Sequence, residues 1–229
     1  ACSEFWRGIE VWGNKDASQI PINQQTGLRI HQGEVQVIND GTIENAINAI
    51  WTIKIESDGN MDWGKTGGVI ILDSANLINN NYDVWIGPYH NIHPTSNKEI
   101  HNYSRIVNSR FTKNDDMPEG YNGYAFIGLW DVGTISIKGN SFKNLKTNLY
   151  TADRGKGIEA YSATMNLTDY CPTSGSIYDP LSQSQATTLD LTPCQGAVRN
   201  HFEGLYYGIW ASNVTGDNAI IHVDRAEFE

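Results

Sequence analysis

With 229 residues, 39% of them hydrophobic and 18% charged, the chain can bury one substantial core; its 22 Gly, 7 Trp and 11 Tyr describe strands and turns, not a helical bundle. A formal net charge of −10 opposes nucleic acid and anionic lipid surfaces, both of which reward basic stripes. No apolar run approaches the roughly 18 residues of a membrane-spanning helix, so neither nucleic acid nor membrane insertion is expected.

The chain opens on a strand-like run, Phe5–Val11. Ala1–Trp12 has no basic-then-apolar layout of a signal peptide, so any targeting signal is expected outside this stretch. A repeat follows. Taking one large apolar residue as an anchor, Ile43, Leu77, Phe111, Phe142, Leu167, Phe202 and Phe228 fall into register at intervals of 34, 34, 31, 25, 35 and 26 residues. Five residues before them stand Ile38, Leu72, Ile106, Ile137, Ser162, Ala197 and Val223. Two before stand mostly small residues: Gly41, Ala75, Ser109, Asn140, Met165, Asn200 and Ala226. Two after come Asn45, Asn79, Lys113 (followed by Asn114), Asn144, Asp169 and Gly204, and seven after come Ile50, Val84, Leu149 and Ile209.

These offsets fit no single helical face, and the alternation in Val35/Val37, Ile53/Ile55, Ile135/Ile137 and Ile221/Val223 is the period of half-buried strands. The spacing therefore predicts a coil of three short strands per repeat, each coil burying its apolar face only against its neighbours. Small residues at −2 permit tight corners. Asn at +2 tolerates left-handed backbone, and its amide is expected to ladder with the one in the next coil.

The stretches GGVIILDSANLINNNYDVWI (67–86), ISIKGNSFKN (135–144) and GAVRNHFEGLYYGIWAS (196–212) resemble the right-handed parallel β-helix, or pectin-lyase-like, modules of large secreted proteins in Bacteroidetes-type bacteria. That resemblance implies an all-β, right-handed solenoid of about seven coils, forming one domain over 1–229. It also implies export by the type IX secretion route and display at the cell surface. The shared motif is a packing motif, so it specifies fold and leaves function open. The chain starts within the pattern and stops just after an anchor, so flanking domains of a longer chain are expected to cover the open ends.

Candidate chemistry lies outside the repeat. At +8, Trp51, Trp85, Tyr150 and Trp210 are expected to face outward in a column suited to stacking on sugar rings or on a protein partner; the plainer reading has loops covering them. Gly59–Thr66 matches the phosphate-binding pattern GxxxxGK[ST], but a strand-like run, Val69–Leu72, follows where that mechanism needs a helix, so a turn is expected. Ser74, in Asp73-Ser74-Ala75, resembles the site at which such bacteria O-glycosylate exported proteins, and it also suits an ordinary corner. His90, His93 and His101 share a loop whose spacing is undemanding, and no metal site is expected.

Enzymes on this scaffold use clustered acids, with Ca2+ and a basic residue in lyases. The best such set here is Asp131, Asp153, Arg154 and Glu159, and solvated turns explain most of it. Cys171 and Cys194 bracket a Ser/Thr/Gln/Pro-rich segment that reads as a protruding loop stapled by a disulfide, which would place the protein in an oxidising compartment; the pairing of Cys2 is left open. The leading expectation is a non-enzymatic extracellular module, adhesin-like or a structural spacer, whose outer wall binds glycan or an extracellular protein. The alternatives are a polysaccharide lyase or glycoside hydrolase, and a subunit of an extracellular filament or secretion-linked assembly. No cofactor is expected, with Ca2+ entering only under the lyase alternative.

Overall fold

The computed structural model describes residues 5–20, 26, 29–118, 120–147, 149–172, 195–214, 216 and 219–229. Among the described residues, the regular structure is strand apart from one 3-10 turn, Thr151–Arg154. In chain order the strands are β1 (Ile9–Glu10), β2 (Glu34–Ile38), β3 (Thr42–Glu44), β4 (Asn48–Trp51), β5 (Lys54–Ile55), β6 (Met61–Asp62), β7 (Val69–Asp73), β8 (Asn76–Ile78), β9 (Tyr82–Ile86) and β10 (Arg105–Val107). They continue with β11 (Arg110–Lys113), β12 (Ala125–Trp130), β13 (Ile135–Lys138), β14 (Ser141–Asn144), β15 (Lys156–Tyr161), β16 (Met165–Thr168), β17 (His201–Glu203), β18 (Tyr207–Ser212), β19 (Ile221–Val223) and β20 (Glu227–Phe228).

All but β5 and β6 belong to three six-stranded parallel sheets. The first contains β2, β7, β10, β13, β16 and β19, the second β3, β8, β11, β14, β17 and β20, and the third β1, β4, β9, β12, β15 and β18. Successive strands enter the first, second and third sheet in rotation, which is the winding of a parallel solenoid. Among the described residues there are five complete coils, with β1 before them and β19–β20 after. β5 and β6 form a separate antiparallel hairpin between β4 and β7.

Six of the expected anchors pair in one column of the second sheet: Ile43, Leu77, Phe111, Phe142, Phe202 and Phe228. The rings of Phe111, Phe142, Phe202 and Phe228 stack at successive centroid distances of 4.7, 4.7 and 4.9 Å, the spacing that the strand ladder itself imposes. Leu167 is a correction: it pairs with Ile137 and Val223 in the first sheet, so the short and long intervals around it form one coil with an insertion between β16 and β17. It fills the column in which Ser162 and Ala197 were expected, and Val37, not Ile38, pairs with Leu72.

At +7, Ile50, Val84 and Ile209 share a column of the third sheet with Ile9, but its other members are Ile127 and Ile158. Leu149 lies in a loop. Two coils take a longer link from the anchor to the third sheet, and no constant offset can follow them.

Left-handed backbone recurs at the corners, with φ between 48° and 61° at Asp40, Ser74, Asn108, Gly139 and Arg225. Asn45 and Asn79 also take it (φ 56° and 55°), as expected at +2, and Asn79 exchanges hydrogen bonds of 2.8 and 2.9 Å with Asn114. The longer amide ladder stands at −2 instead. There Asn140 Oδ1 accepts from Ser109 N (2.9 Å), Asn200 Oδ1 accepts from Asn140 N (3.0 Å), and the two amides donate to the carbonyls of Ile106 and Thr168. Both side chains are buried, so they pair backbone groups that the corner removes from the sheets.

The stem of the insertion is a backbone pair, Tyr170 with Val198, each donating to the other at 2.8 Å. Cys171 is disulfide-bonded. Cys194, Cys2 and most of the expected 171–194 loop lie outside the described residues. Asp83 and Lys113 are charged residues buried inside the solenoid: Asp83 Oδ1 accepts from Asn80 (2.6 Å), and Lys113 Nζ donates to the carbonyls of Asn81 and Ala125. Burial pushes Asp83 up and Lys113 down, each toward its neutral form.

Candidate functional site

Register sets the outer face of the third sheet. Trp51, Trp85, Gly128, Glu159 and Trp210 occupy one row along the solenoid axis, and Trp130, Tyr161 and Ser212 a second. Tyr82, Ala125, Lys156 and Tyr207 form a third row at the other end of the strands. Gly128 removes one side chain from the middle. A Cβ there would lie 2.8 Å from Cδ1 of Trp85 and 3.1 Å from Cε1 of Tyr82, so both rings lie over bare backbone.

A cavity of about 250 Å³ opens at this gap, lined by Met61, Trp63, Tyr82, Trp85, Tyr124, Gly128, Leu129, Trp130, Glu159 and Tyr161. Met61 and Trp63 reach it from the β5–β6 hairpin, which is tied to β1 by a hydrogen bond from Ile55 N to Glu10 Oε2 (3.2 Å). The ammonium groups of Lys54 and Lys65 lie 5.8 and 5.9 Å from the ring of Trp12 and hold the hairpin's base. On the far side the rings of Trp130 and Tyr161 meet at a tilt (4.9 Å), and Tyr161 meets Trp210 edge-on (4.9 Å).

The polar groups of this pit form one network around Glu159, which is buried. Its Oε2 accepts from the Tyr82 hydroxyl at 3.0 Å; its Oε1 accepts from Lys156 Nζ and, at 3.3 Å, from the Tyr161 hydroxyl. Lys156 also donates to the Tyr124 hydroxyl (3.1 Å), and its ammonium lies 4.2 and 5.2 Å from the rings of Tyr124 and Trp210. Burial disfavours the lysine's charge, but the hydrogen bonds to Glu159 and Tyr124 outweigh it and hold Lys156 above the usual lysine range. Burial, reinforced by the Glu159 carboxylate, pushes the Tyr82 and Tyr161 phenols up, so both remain protonated donors at neutral pH. The result is a set of flat apolar faces around hydrogen-bonding groups at the floor.

The structure distributes the expected aromatic column differently. Trp85 lines the pit, and Trp210 stands beside it. Trp51 is 8% exposed, with the Arg7 guanidinium 5.9 Å from its ring, so it does not extend an exposed row. Tyr150 is 86% exposed in a loop, and Glu159 holds the row position assigned to it; the longer link before β15 causes this correction.

The candidate acids do not converge. Asp131 pairs with His90 Nε2 (3.2 Å), whose Nδ1 meets Glu99 (3.0 Å); Asp153 is exposed on the 3-10 turn; Arg154 donates to the Gly204 carbonyl (3.2 Å); only Glu159 enters the pit. His93 caps a turn by accepting from the Thr95 and Ser96 amides. Ser74 takes left-handed backbone at a corner, where its hydroxyl accepts from Asn108 (3.0 Å).

Gly59–Thr66 is the turn and second strand of the hairpin, and the Thr66 hydroxyl is committed to the Pro88 carbonyl (2.6 Å). His201, Glu203 and Glu229 place their ligand atoms within 4.8 Å of one another on the second sheet, but Lys143 pairs with Glu203 (2.7 Å) and Arg199 with neighbouring Glu227 (2.8 Å), making a ladder of surface ion pairs.

Tyr82, Tyr124, Trp130, Lys156, Tyr161 and the hairpin residues were missed by sequence reasoning. Alternation in AFIGLW (125–130) and KGIEAY (156–161) carried a signal for Gly128/Trp130 and Glu159/Tyr161, which the irregular links concealed. No family model, curated protein or solved structure matches the chain.

Proposed function

We propose that the chain is a non-enzymatic, adhesin-like module of an extracellular surface, built on a right-handed parallel β-helix of the pectin-lyase type, and that it binds glycan through the pit on its third sheet. The observation that carries this reading is the meeting of Trp85, Trp130, Tyr161 and the hairpin's Trp63 around the Glu159–Lys156 pair. A sugar ring presents an apolar C–H face and a rim of hydroxyls, and this pit offers aromatic faces with donors and acceptors beneath them. An external cation suits it less, because Lys156 already stands over Tyr124 and Trp210.

The extracellular setting is supported by the disulfide at Cys171 and by the resemblance of the repeat to exported modules. A glycoside hydrolase commonly sets two carboxyls roughly 5 to 9.5 Å apart across the scissile bond. Among the described residues lining the pit, Glu159 is the one carboxylate, and its oxygens already accept three hydrogen bonds. Binding therefore has better support than catalysis.

A glycan array probed with the whole chain and with a Trp85→Ala, Trp210→Ala double variant tests the reading. Signal from the parent that disappears in the folded variant is expected. A silent array, or an unchanged one, overturns it.

A further inference from the structure

We infer that the pit takes a single neutral pyranose ring at the end of a glycan, and neither an internal stretch of polysaccharide nor an acidic sugar. This rests on the glycan-binding reading and adds the class of sugar and its manner of entry.

The pit is bounded along both directions of the sheet. Along the strand direction the pit lies between Tyr124, which precedes β12, and Trp130, which ends it. Along the solenoid axis it lies between the hairpin, anchored toward β1 by Ile55 and Glu10, and the Glu159–Lys156 pair on β15. Along the axis aromatic rings therefore stand at both sides of the pit, Trp63 at one and the Tyr161–Trp210 contact at the other, in the way of a polymer laid along the sheet. A chain end meets no such obstacle, because it enters from above.

The pit is also small. About 250 Å³ falls below the roughly 300–1,000 Å³ of sites that enclose drug-sized ligands, which leaves room for one ring.

Its charges are already paired. At the floor, Glu159 and Lys156 neutralise each other, and the ammonium is further engaged by Tyr124. A carboxylated sugar would bring a negative charge beside a buried carboxylate whose cation is already paired, in a chain of net charge −10. Hydroxyl groups carry no such penalty.

Titration of the whole chain, followed by tryptophan fluorescence and calorimetry, tests this with three sets of probes. They are the methyl pyranosides of glucose, galactose and mannose, a linear tetrasaccharide of each, and the three corresponding methyl uronides, glucuronide, galacturonide and mannuronide. One methyl pyranoside is expected to bind, its tetrasaccharide within about threefold of it, and the matching uronate at least tenfold more weakly. A tetrasaccharide bound tenfold or more tightly than its monosaccharide overturns entry by a chain end, and a preferred uronate overturns neutrality. Either outcome leaves glycan binding standing; silence from every probe beside a positive array overturns the single neutral ring, and silence from the probes and the array together removes the glycan reading as well. Trp63→Ala alters a half-exposed hairpin residue outside the sheet ladders, so an unchanged melting temperature is expected with about tenfold weaker binding of the monosaccharide. Unchanged monosaccharide affinity in that variant overturns the enclosed pit.

Discussion

Phe142 and Tyr161 belong to consecutive strands of one coil, β14 and β15, yet their surroundings follow opposite rules. Inside the solenoid, Phe142 lies between Phe111 and Phe202, with interplanar angles of 19° and 12° and the same residue type above and below. Outside, Tyr161 meets Trp130 at 35° and Trp210 at 62°, beside a carboxylate and above a row interrupted by Gly128. The interior repeats because every coil must bury its apolar face on the next, and strand spacing allows one ring per rung. The outer face has no such requirement, so one missing side chain there opens a concavity without breaking the stack. Stability should follow the repeated surface and binding the interrupted one.

Replacing Phe142 by Ala is expected to give the largest effect, a loss of about 3–5 kcal/mol in denaturant unfolding, since the ring is fully buried and stacked on both sides. A loss below about 1 kcal/mol would erase the contrast. On the outer face, Lys156→Met leaves the buried Glu159 without its cation, and a loss of about 2 kcal/mol is expected, partly recovered by adding Glu159→Gln. No recovery in the double variant would mean that the pair does not act as a unit.

Two glycines sharpen the comparison. At Gly157 an added Cβ would meet the Gly208 carbonyl at 2.4 Å and the Phe202 ring at 2.5 Å, so Gly157→Ala should cost about 2 kcal/mol. Gly128→Ala presses on two rings that can swing outward; about 1 kcal/mol is expected, with a shift in tryptophan emission that Gly157→Ala does not produce. Equal stability losses and equal spectra would break the distinction between the two faces.

The smallest effect should be the pH dependence of the His90 clasp. Burial opposes the imidazolium, but the hydrogen bonds to Asp131 and Glu99 outweigh it and raise the pKa above the usual histidine value. A raised folded-state pKa contributes stability that is fully present below the unfolded histidine's range, near pH 6.5, and is lost as pH rises through the folded value. Asp131→Asn should therefore cost a few tenths of a kcal/mol at pH 5.5 and less at pH 8.5, since the pair is partly exposed. A larger cost at pH 8.5 would contradict the assignment.

Much of the interior was legible in the sequence because it repeats. Four phenylalanines and two aliphatic residues share one column, at nearly even intervals from Ile43 to Phe142. Leu167 was misplaced because the Tyr170–Val198 stem inserts a segment between two strands of a single coil, turning one long interval into two plausible ones. Tyr150 was misplaced because the link before β15 is longer than the link before β4.

The sequence by itself determined the three-strand coil, six members of the anchor column and the left-handed corners at Asn45 and Asn79, since each follows from local pattern and steric preference. Only the tertiary structure decided the pit. Its members come from the hairpin, β9, β12 and β15, segments brought together by winding, and lateral register between coils is set by links whose lengths vary. Gly128 bears its meaning only once Trp85 and Tyr82 are known to lie on the neighbouring rung.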